Sequence, residues 1–215
     1  MGYGSYSGAL YANTSGNNNI GIGSGALRSN TTACNNVALG AGSLYNNIDG
    51  NCNTAIGFGA QSLNRSGTDN IALGVNTSYS STGGSCNVII GGYGNYRNKT
   101  GNYNVMLGYY AGAFTSGSSN VFIGHCAGYG ETGSSHLYIH NTSTASPLLF
   151  GDFAVNRLKI NGTLEVCNPV SGGACNYLYL GDKDTDGSWR FAVSGASMVI
   201  QRRVTGAYVT KQTIT

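Results

Sequence analysis

The sequence predicts an all-β fold: a parallel β-solenoid, or β-roll, of about eight coils of 16–17 residues, followed by a small antiparallel β module. The first observation is an Asn-x-x-x-Gly motif with mostly apolar residues at the first and third positions after Asn. Its copies begin, 17 and later 16 residues apart, at Asn19, Asn36, Asn53, Asn70, Asn87, Asn104, Asn120 and, in an altered form, His136. This period is too short for a helix-containing repeat and matches one turn of a β-solenoid. In addition, 35 glycines and 9% charged residues are far from ordinary globular usage.

Alternation within each motif predicts a strand with one buried face. In Val37-Ala38-Leu39 the first and third residues are apolar, and side chains two residues apart lie on the same side of a strand. We therefore expect these aliphatic pairs to face the interior of the coil. The middle residue then faces outward.

That middle residue grows along the chain, from Gly21 and Ala38 to Phe122 and Tyr138. A large apolar residue facing water is unfavourable, so we expect another copy of the chain to cover it. The sequence thus predicts a parallel homotrimer whose three rods pack around an axis. A single-chain solenoid wide enough to bury both faces is the alternative.

Glycine and asparagine define the rest of the coil. A glycine follows each motif from Gly23 to Gly124, which indicates a left-handed or tightly bent corner that a side chain would obstruct. The aligned motif asparagines are expected to form a ladder in which each amide bonds to the coils above and below. Turn initiation alone is the simpler reading of these asparagines.

The repeat ends near residue 140, which divides the chain into a solenoid (1–140) and a C-terminal β cap or trimerisation module (141–215). Alternation at Leu158/Ile160 and Tyr177/Tyr179, with turns at Asn161-Gly162 and Asp186-Gly187, predicts short antiparallel hairpins there. A cap is needed because an open solenoid end exposes unpaired strand edges and apolar core.

The six cysteines include no Cys-x-x-Cys pair, so the sequence does not support a zinc site. Cys34 and Cys52 fall on neighbouring coils, and Cys167 and Cys175 flank a turn. Either pair could be bridged in an oxidising environment, or all could be small buried thiols.

Charge and hydropathy exclude two classes of partner. The net charge of +3 is spread thinly, which gives little support to nucleic-acid binding. No apolar stretch approaches the ~20 residues of a membrane span, so membrane insertion is not expected.

Asp182, Asp184 and Asp186, followed by Gly187, have the spacing of a calcium-binding loop. The twelfth position of such a loop, where a bidentate Glu belongs, is Val193. A calcium site is one interpretation and a plain acidic hairpin turn is the other; no other cofactor is expected.

Tyrosine is frequent in the later coils, at Tyr79, Tyr93, Tyr96, Tyr103, Tyr109, Tyr110 and Tyr129. Exposed aromatic rings beside amides suit glycan contact, which makes Tyr93, Tyr96, Tyr109 and Tyr110 candidates for receptor contact. An aromatic ladder that only stabilises the stack is the other interpretation.

The repeats resemble two groups of known proteins. The Asn-x-Ala-Ile/Leu-Gly repeats are similar to the head repeats of trimeric autotransporter adhesins. The segments 120–141, 147–153 and 157–166 resemble phage tail fibres and bacterial surface proteins with similar repeats. This resemblance implies a trimeric fibre, often followed in that group by a self-cleaving intramolecular chaperone domain, of which no sign is visible here.

The repeat pattern predicts a structural fibre or adhesin. The resemblance implies, most simply, a viral or phage tail-fibre component that attaches to a host-surface glycan or protein and is located on a virion or extracellular surface. A cellular adhesin or a self-assembling extracellular filament is the alternative. A glycan-degrading tailspike is a weaker one. Such an enzyme needs two carboxylates on the rod 5 to 10 Å apart. Up to His140 the chain has only Asp49, Asp69 and Glu131, on coils too separated to pair, so no enzymatic activity is expected.

Overall fold

A computed structural model describes residues 8–162, 177–180, 189–194 and 197–214 of the chain. Every regular element among these residues is a β-strand, and none is a helix; accordingly, this part of the chain contains no helix long and apolar enough to cross a membrane. The chain divides into two compact units, Met1–Gly162 and Thr163–Thr215. The predicted all-β class is confirmed.

The first unit is a parallel β-solenoid. Its eight parallel strands stack in chain order, each paired in register with the next, so that seven turns connect them. These strands are β1 (Ile20–Ile22), β2 (Val37–Leu39), β3 (Thr54–Ile56), β4 (Ile71–Leu73), β5 (Val88–Ile90), β6 (Val105–Leu107), β7 (Val121–Ile123) and β8 (His136–Ile139). At ~4.8 Å per strand the parallel stack is about 34 Å long.

Two antiparallel strands complete this sheet. β9 (Leu149–Asp152) pairs with β8, and β10 (Arg157–Ile160) pairs with β9. The parallel strands therefore end with β8, whereas the compact unit continues to Gly162. The reason is that the β9–β10 hairpin covers the open edge of β8.

The second unit contains one antiparallel sheet, in the order β11 (Tyr177–Leu180), β12 (Trp189–Ser194), β13 (Ser197–Val204) and β14 (Ala207–Ile214). The predicted antiparallel module is thus present. The turn between β13 and β14 is Thr205-Gly206, and both residues have positive φ angles of 49° and 80°, as a two-residue hairpin turn requires.

Glycine corners allow the coils to stack closely. The glycines after β1 to β7 have φ angles between 118° and 143°, a region that other residues rarely adopt. A Cβ at Gly40 would lie 2.6 Å from the carbonyl oxygen of Gly57 in the next coil. A side chain is therefore excluded by backbone on the neighbouring coil, as the motif predicted.

The motif asparagines form the predicted ladder inside the column. Asn70 Oδ1 accepts the backbone N–H of Asn87 at 3.0 Å, and Asn70 Nδ2 donates to the carbonyl of Gly84 at 2.8 Å. The same contacts recur from Asn19 to Asn120. Because the ladder is buried, each amide satisfies backbone groups that water cannot reach.

The two faces of the strands are the reverse of those expected. Ala38, Ala55 and Phe122, the middle residues, are fully buried, whereas Leu39 is 42% and Ile90 43% exposed. Alternation shows that a strand has two different faces, but not which one is inside. In the early coils the small Ala38 and Ala55 share the interior with Leu27 and Leu44 from the opposite turn, and the bulky aliphatic pairs of the strands lie outside.

The middle residues become larger along the chain for a reason other than the predicted packing against another copy. The middle residues form one column of side chains, and a second column lies on the turn after each glycine corner. Side chains in the second column become smaller as those in the first become larger. The second column consists of Leu10, Leu27, Leu44, Gln61, Ser78, Asn95, Gly112 and Gly128. The two columns meet inside the coil, since a Cβ at Gly21 would lie 3.2 Å from Leu10 Cγ. Along the stack of coils, therefore, a large side chain in one column packs beside a small residue in the other, and the core stays filled.

Candidate functional surfaces

The outer side of the strands forms a continuous surface, here called the aliphatic face. It consists of the first and third strand residues of each coil: Ile20, Ile22, Val37, Leu39, Thr54, Ile56, Ile71, Leu73, Val88, Ile90, Val105, Leu107, Val121, Ile123, Leu137 and Ile139. Only Thr54 is polar and no position is charged. With rows ~7 Å apart over about 34 Å, the face covers roughly 240 Å². Because its exposed aliphatic side chains recur on successive coils with no charge among them, this face is a candidate interaction surface.

Six tyrosines on the turns of the later coils form a second surface, here called the tyrosine cluster: Tyr79, Tyr93, Tyr96, Tyr109, Tyr110 and Tyr129. Rings on successive coils stack, with centroids 5.6 Å apart for Tyr79 and Tyr96 and 5.1 Å apart for Tyr93 and Tyr110. Tyr109 meets Tyr110 edge-on at 4.6 Å. The stacking of coils therefore brings all four predicted receptor-contact tyrosines, Tyr93, Tyr96, Tyr109 and Tyr110, into one cluster.

The rings of this cluster fix one another; two of them are exposed and the other four are half-buried. Tyr109 is 48% and Tyr129 37% exposed, while Tyr129 also packs against Phe114 at 4.8 Å. Tyr109 lies parallel to the His125 ring at 6.0 Å. Aromatic pairs in such arrangements stabilise each other by about 0.5–1.5 kcal/mol, so the cluster is both a structural ladder and a rigid exposed surface.

A cavity of about 250 Å³ adjoins the Tyr129 end of the cluster. It is lined by Gly128, Tyr129, Gly130, Glu131, Thr132, Tyr138, Ser143, Thr144 and Ala145. Glu131 is the one charged residue among them. Tyr129 belongs to both features, so the aromatic surface and the cavity are continuous.

Glu131 is held in place by two hydrogen bonds. Its Oε1 accepts the backbone N–H of Gly133 at 2.6 Å, and its Oε2 accepts the hydroxyl of Tyr138 at 2.5 Å. His136 Nδ1 lies 3.5 Å from Oε1. Glu131 occupies the position that Asn30, Asn47 and Asn64 hold in earlier coils. The Asn64 side chain accepts the N–H of Gly67, three residues further on, and Glu131 accepts that of Gly133, two residues further on.

These contacts shift the acidity of both partners. Burial raises the pKa of Glu131, but the bonds from Tyr138 and Gly133 and the nearby His136 outweigh it, so the net pKa is lowered. Burial, followed by the bond to the Glu131 carboxylate, raises the pKa of Tyr138. At neutral pH the pair is a carboxylate and a neutral phenol.

The predicted calcium ligands Asp182, Asp184 and Asp186 lie outside the described residues, as do Cys167 and Cys175. Within the described part of the chain, no three His, Cys, Asp or Glu side chains come together as a metal site would require. Cys34 and Cys52 are both free thiols rather than a bridged pair. They occupy different positions on adjacent coils, with Cys52 N–H donating to the Cys34 carbonyl at 3.1 Å.

Comparison with protein-family models, with curated proteins and with solved structures yields no match for this chain.

Sequence reasoning missed the Glu131–Tyr138 pair. The available signal was the position of Glu131 in the column of turn asparagines, 16 residues after Thr115 and 33 after Asn98. Earlier coils have Asn, Ser or Thr at this position, so a carboxylate there indicates that this column of turn residues ends at Glu131. The approach of Tyr138 depends on the β8–β9 turn, which has left the repeat.

Proposed function

We propose that this protein is a structural and adhesive fibre component, most simply part of a viral or phage tail fibre, that assembles as a parallel homotrimer and attaches to a host surface. A location on a virion or extracellular surface follows from that role. The observation that carries the proposal is the aliphatic face, which runs along all eight parallel strands and carries no charge.

A second copy of the chain is well suited to cover the aliphatic face. Leu39, Ile71 and Ile90 are each more than 40% exposed in the single chain, and burying such a side chain contributes roughly 1 kcal/mol. A second copy of the chain offers a face with the same rise per coil and the same lack of charge. Parallel packing of copies therefore buries every coil at once, which a closed symmetric assembly favours.

The middle residues lie inside each coil and are not available to a partner copy. The proposal is supported instead by the outer aliphatic pairs, together with the resemblance of the repeats to trimeric adhesins and tail fibres. The tyrosine cluster lies beyond the glycine corner, on the turn and not on the strand, so a partner copy on the aliphatic face can leave it accessible for attachment.

The test is the solution mass of two matched variants. In Leu39→Lys/Ile90→Lys, charges stand on the outer face, where each chain alone tolerates them. In the control, Ser116→Lys, the charge stands on an exposed turn whose equivalent in the preceding coil is already Lys99. Circular dichroism checks that both variants keep the β-fold.

We expect the wild type and the control to sediment at about three times the chain mass of 22.2 kDa, and the double variant at the mass of one chain. A monomeric wild type contradicts the assembly. Particles that lengthen with concentration would instead support the end-to-end filament.

A further inference from the structure

We infer that the Tyr129 end of the tyrosine cluster and the Glu131 cavity together form a binding site for a neutral oligosaccharide. A terminal sugar occupies the cavity, and the following sugars lie across the tyrosine rings. This inference deepens the attachment part of the proposed function and rests on it only for the source of the ligand, a host surface.

The cavity has the size of a single sugar unit. Its volume of about 250 Å³ lies below the range of roughly 300–1,000 Å³ typical of sites for larger, drug-sized ligands. Ser143 and Thr144, on the turn between β8 and β9, are among its lining residues. Tyr129, which belongs to the cluster, is another lining residue.

The polar groups of the cavity match the hydroxyl groups of a sugar. The Glu131 carboxylate accepts hydrogen bonds from hydroxyl donors, and such charge-assisted bonds are stronger than neutral ones. Gly133 N–H and Tyr138 OH hold this carboxylate at 2.6 and 2.5 Å. Because its position is fixed before binding, little further ordering is needed when a sugar arrives.

The tyrosine rings supply the apolar half of the recognition. A pyranose ring has an apolar face of C–H groups that packs on an aromatic face, and its hydroxyls can bond phenol groups at the edge. Tyr109 and Tyr129 are exposed, and their rings are held by Tyr110 and Phe114. Successive coils are ~4.8 Å apart, a repeat close to the length of one sugar unit.

Charge indicates which class of sugar fits. Glu131 is the single charged residue lining the cavity, so a uronic or sialic acid there would meet like charge. The Arg157 guanidinium lies 3.7 Å from Asp152 and over the Phe150 ring, where these groups already engage it. With one carboxylate in the lining, the site binds a sugar without the paired acids that hydrolysis needs.

The experiment uses the full chain on a printed array of neutral and acidic oligosaccharides, followed by saturation-transfer NMR and titration with the neutral oligosaccharide that binds best. We expect Tyr129→Ala to weaken binding roughly tenfold and Glu131→Gln roughly tenfold or more. Tyr129→Phe keeps the ring and should bind nearly as well as the wild type. The matched control is Tyr103→Ala, because Tyr103 is exposed on the same coils but outside the cluster.

Each outcome decides the inference. It is overturned if no neutral oligosaccharide binds, if acidic ones bind in preference, or if Tyr129→Ala and Glu131→Gln bind as the wild type does. Since Glu131→Gln could disturb the local fold, the exposed Tyr129→Ala variant carries the test by itself if thermal melting shows damage. The mass of each sample separates the two proposals: a monomer that binds neutral sugars contradicts the trimer alone, and a trimer that binds none contradicts this inference alone.

Discussion

The ring of Phe122 occupies the space that a side chain on Gly128 would need. A Cβ at Gly128 would lie 2.6 Å from the Cδ2, Cε2 and Cγ atoms of that ring. At the other end of the column the relationship is reversed, because Leu10 fills the space beside Gly21. The interior is therefore close-packed because the residues of the two columns are complementary in size. A change of size in one column requires a compensating change in the other.

Gly128→Ala is predicted to destabilise the solenoid much more than Gly42→Ala. The two glycines have similar φ angles, 63° and 68°, so the backbone cost of about 1 kcal/mol is shared. A Cβ at Gly42 meets no atom within 4 Å, whereas at Gly128 it displaces the Phe122 ring at a further ~1–3 kcal/mol. Urea unfolding of the two variants measures the difference. Equal losses of stability would show that the columns do not meet as described.

Gln61→Leu is predicted to stabilise the protein. Gln61 is 1% exposed and its Oε1 has no hydrogen-bond partner in the described chain, whereas Leu27 and Leu44 fill the same position of earlier coils. Removing a buried, unpaired acceptor is expected to raise the free energy of unfolding by about 1 kcal/mol. Thermal melting measures this, and a lower melting temperature would indicate that the amide has a bonded role.

Asn70→Ala is predicted to be strongly destabilising. It leaves the Asn87 N–H and the Gly84 carbonyl unpaired in the column interior, at a combined cost of about 2–5 kcal/mol. Asn46→Ala is the matched control, since the Asn46 side chain is half-buried and makes no hydrogen bond within the described residues. Chemical denaturation compares the two. Similar losses of unfolding free energy in both variants would show that the ladder bonds do not stabilise the column and that the asparagines only favour turns.

The Glu131 contacts predict a loss of stability in acid. The folded-state pKa of Glu131 is lowered from its ordinary value of 4.5. Its contribution is therefore fully present above that value and is lost as the pH falls through the lowered pKa. Melting temperatures of the wild type and Glu131→Gln, measured from neutral to acidic pH, should differ at neutral pH and converge in acid. A constant difference would rule out the carboxylate as the cause.

The sequence predicts the repeat, the strand positions, the glycine corners and the asparagine ladder, because each follows from spacing alone. It does not tell inside from outside. Ala38 lies inside and Leu39 outside, the opposite of the usual hydrophobic order, because the coil is too narrow for aliphatic residues on the strand side of the early coils. The column from Leu10 to Gly128 could have shown which face lies inside, because its side chains become smaller as the middle residues become larger.

Among the candidate sites, the period alone brings the tyrosines together, because residues 17 apart lie on adjacent coils. Tyr93 and Tyr110 are one such pair. The bond between Glu131 and Tyr138 was not predictable in this way, since it forms where the chain leaves the repeat and the turn is no longer fixed by a neighbouring coil.

Hydroxyl-radical footprinting of the intact wild-type protein tests most directly whether sister copies cover the aliphatic face. In a single chain Ile22 is 58% and Tyr103 67% exposed, so both should be oxidised. In the proposed trimer, Ile22, Leu39, Ile71 and Ile90 should be protected while Tyr103 stays reactive. Oxidation of the four aliphatic residues at the rates expected for the single chain would contradict the account.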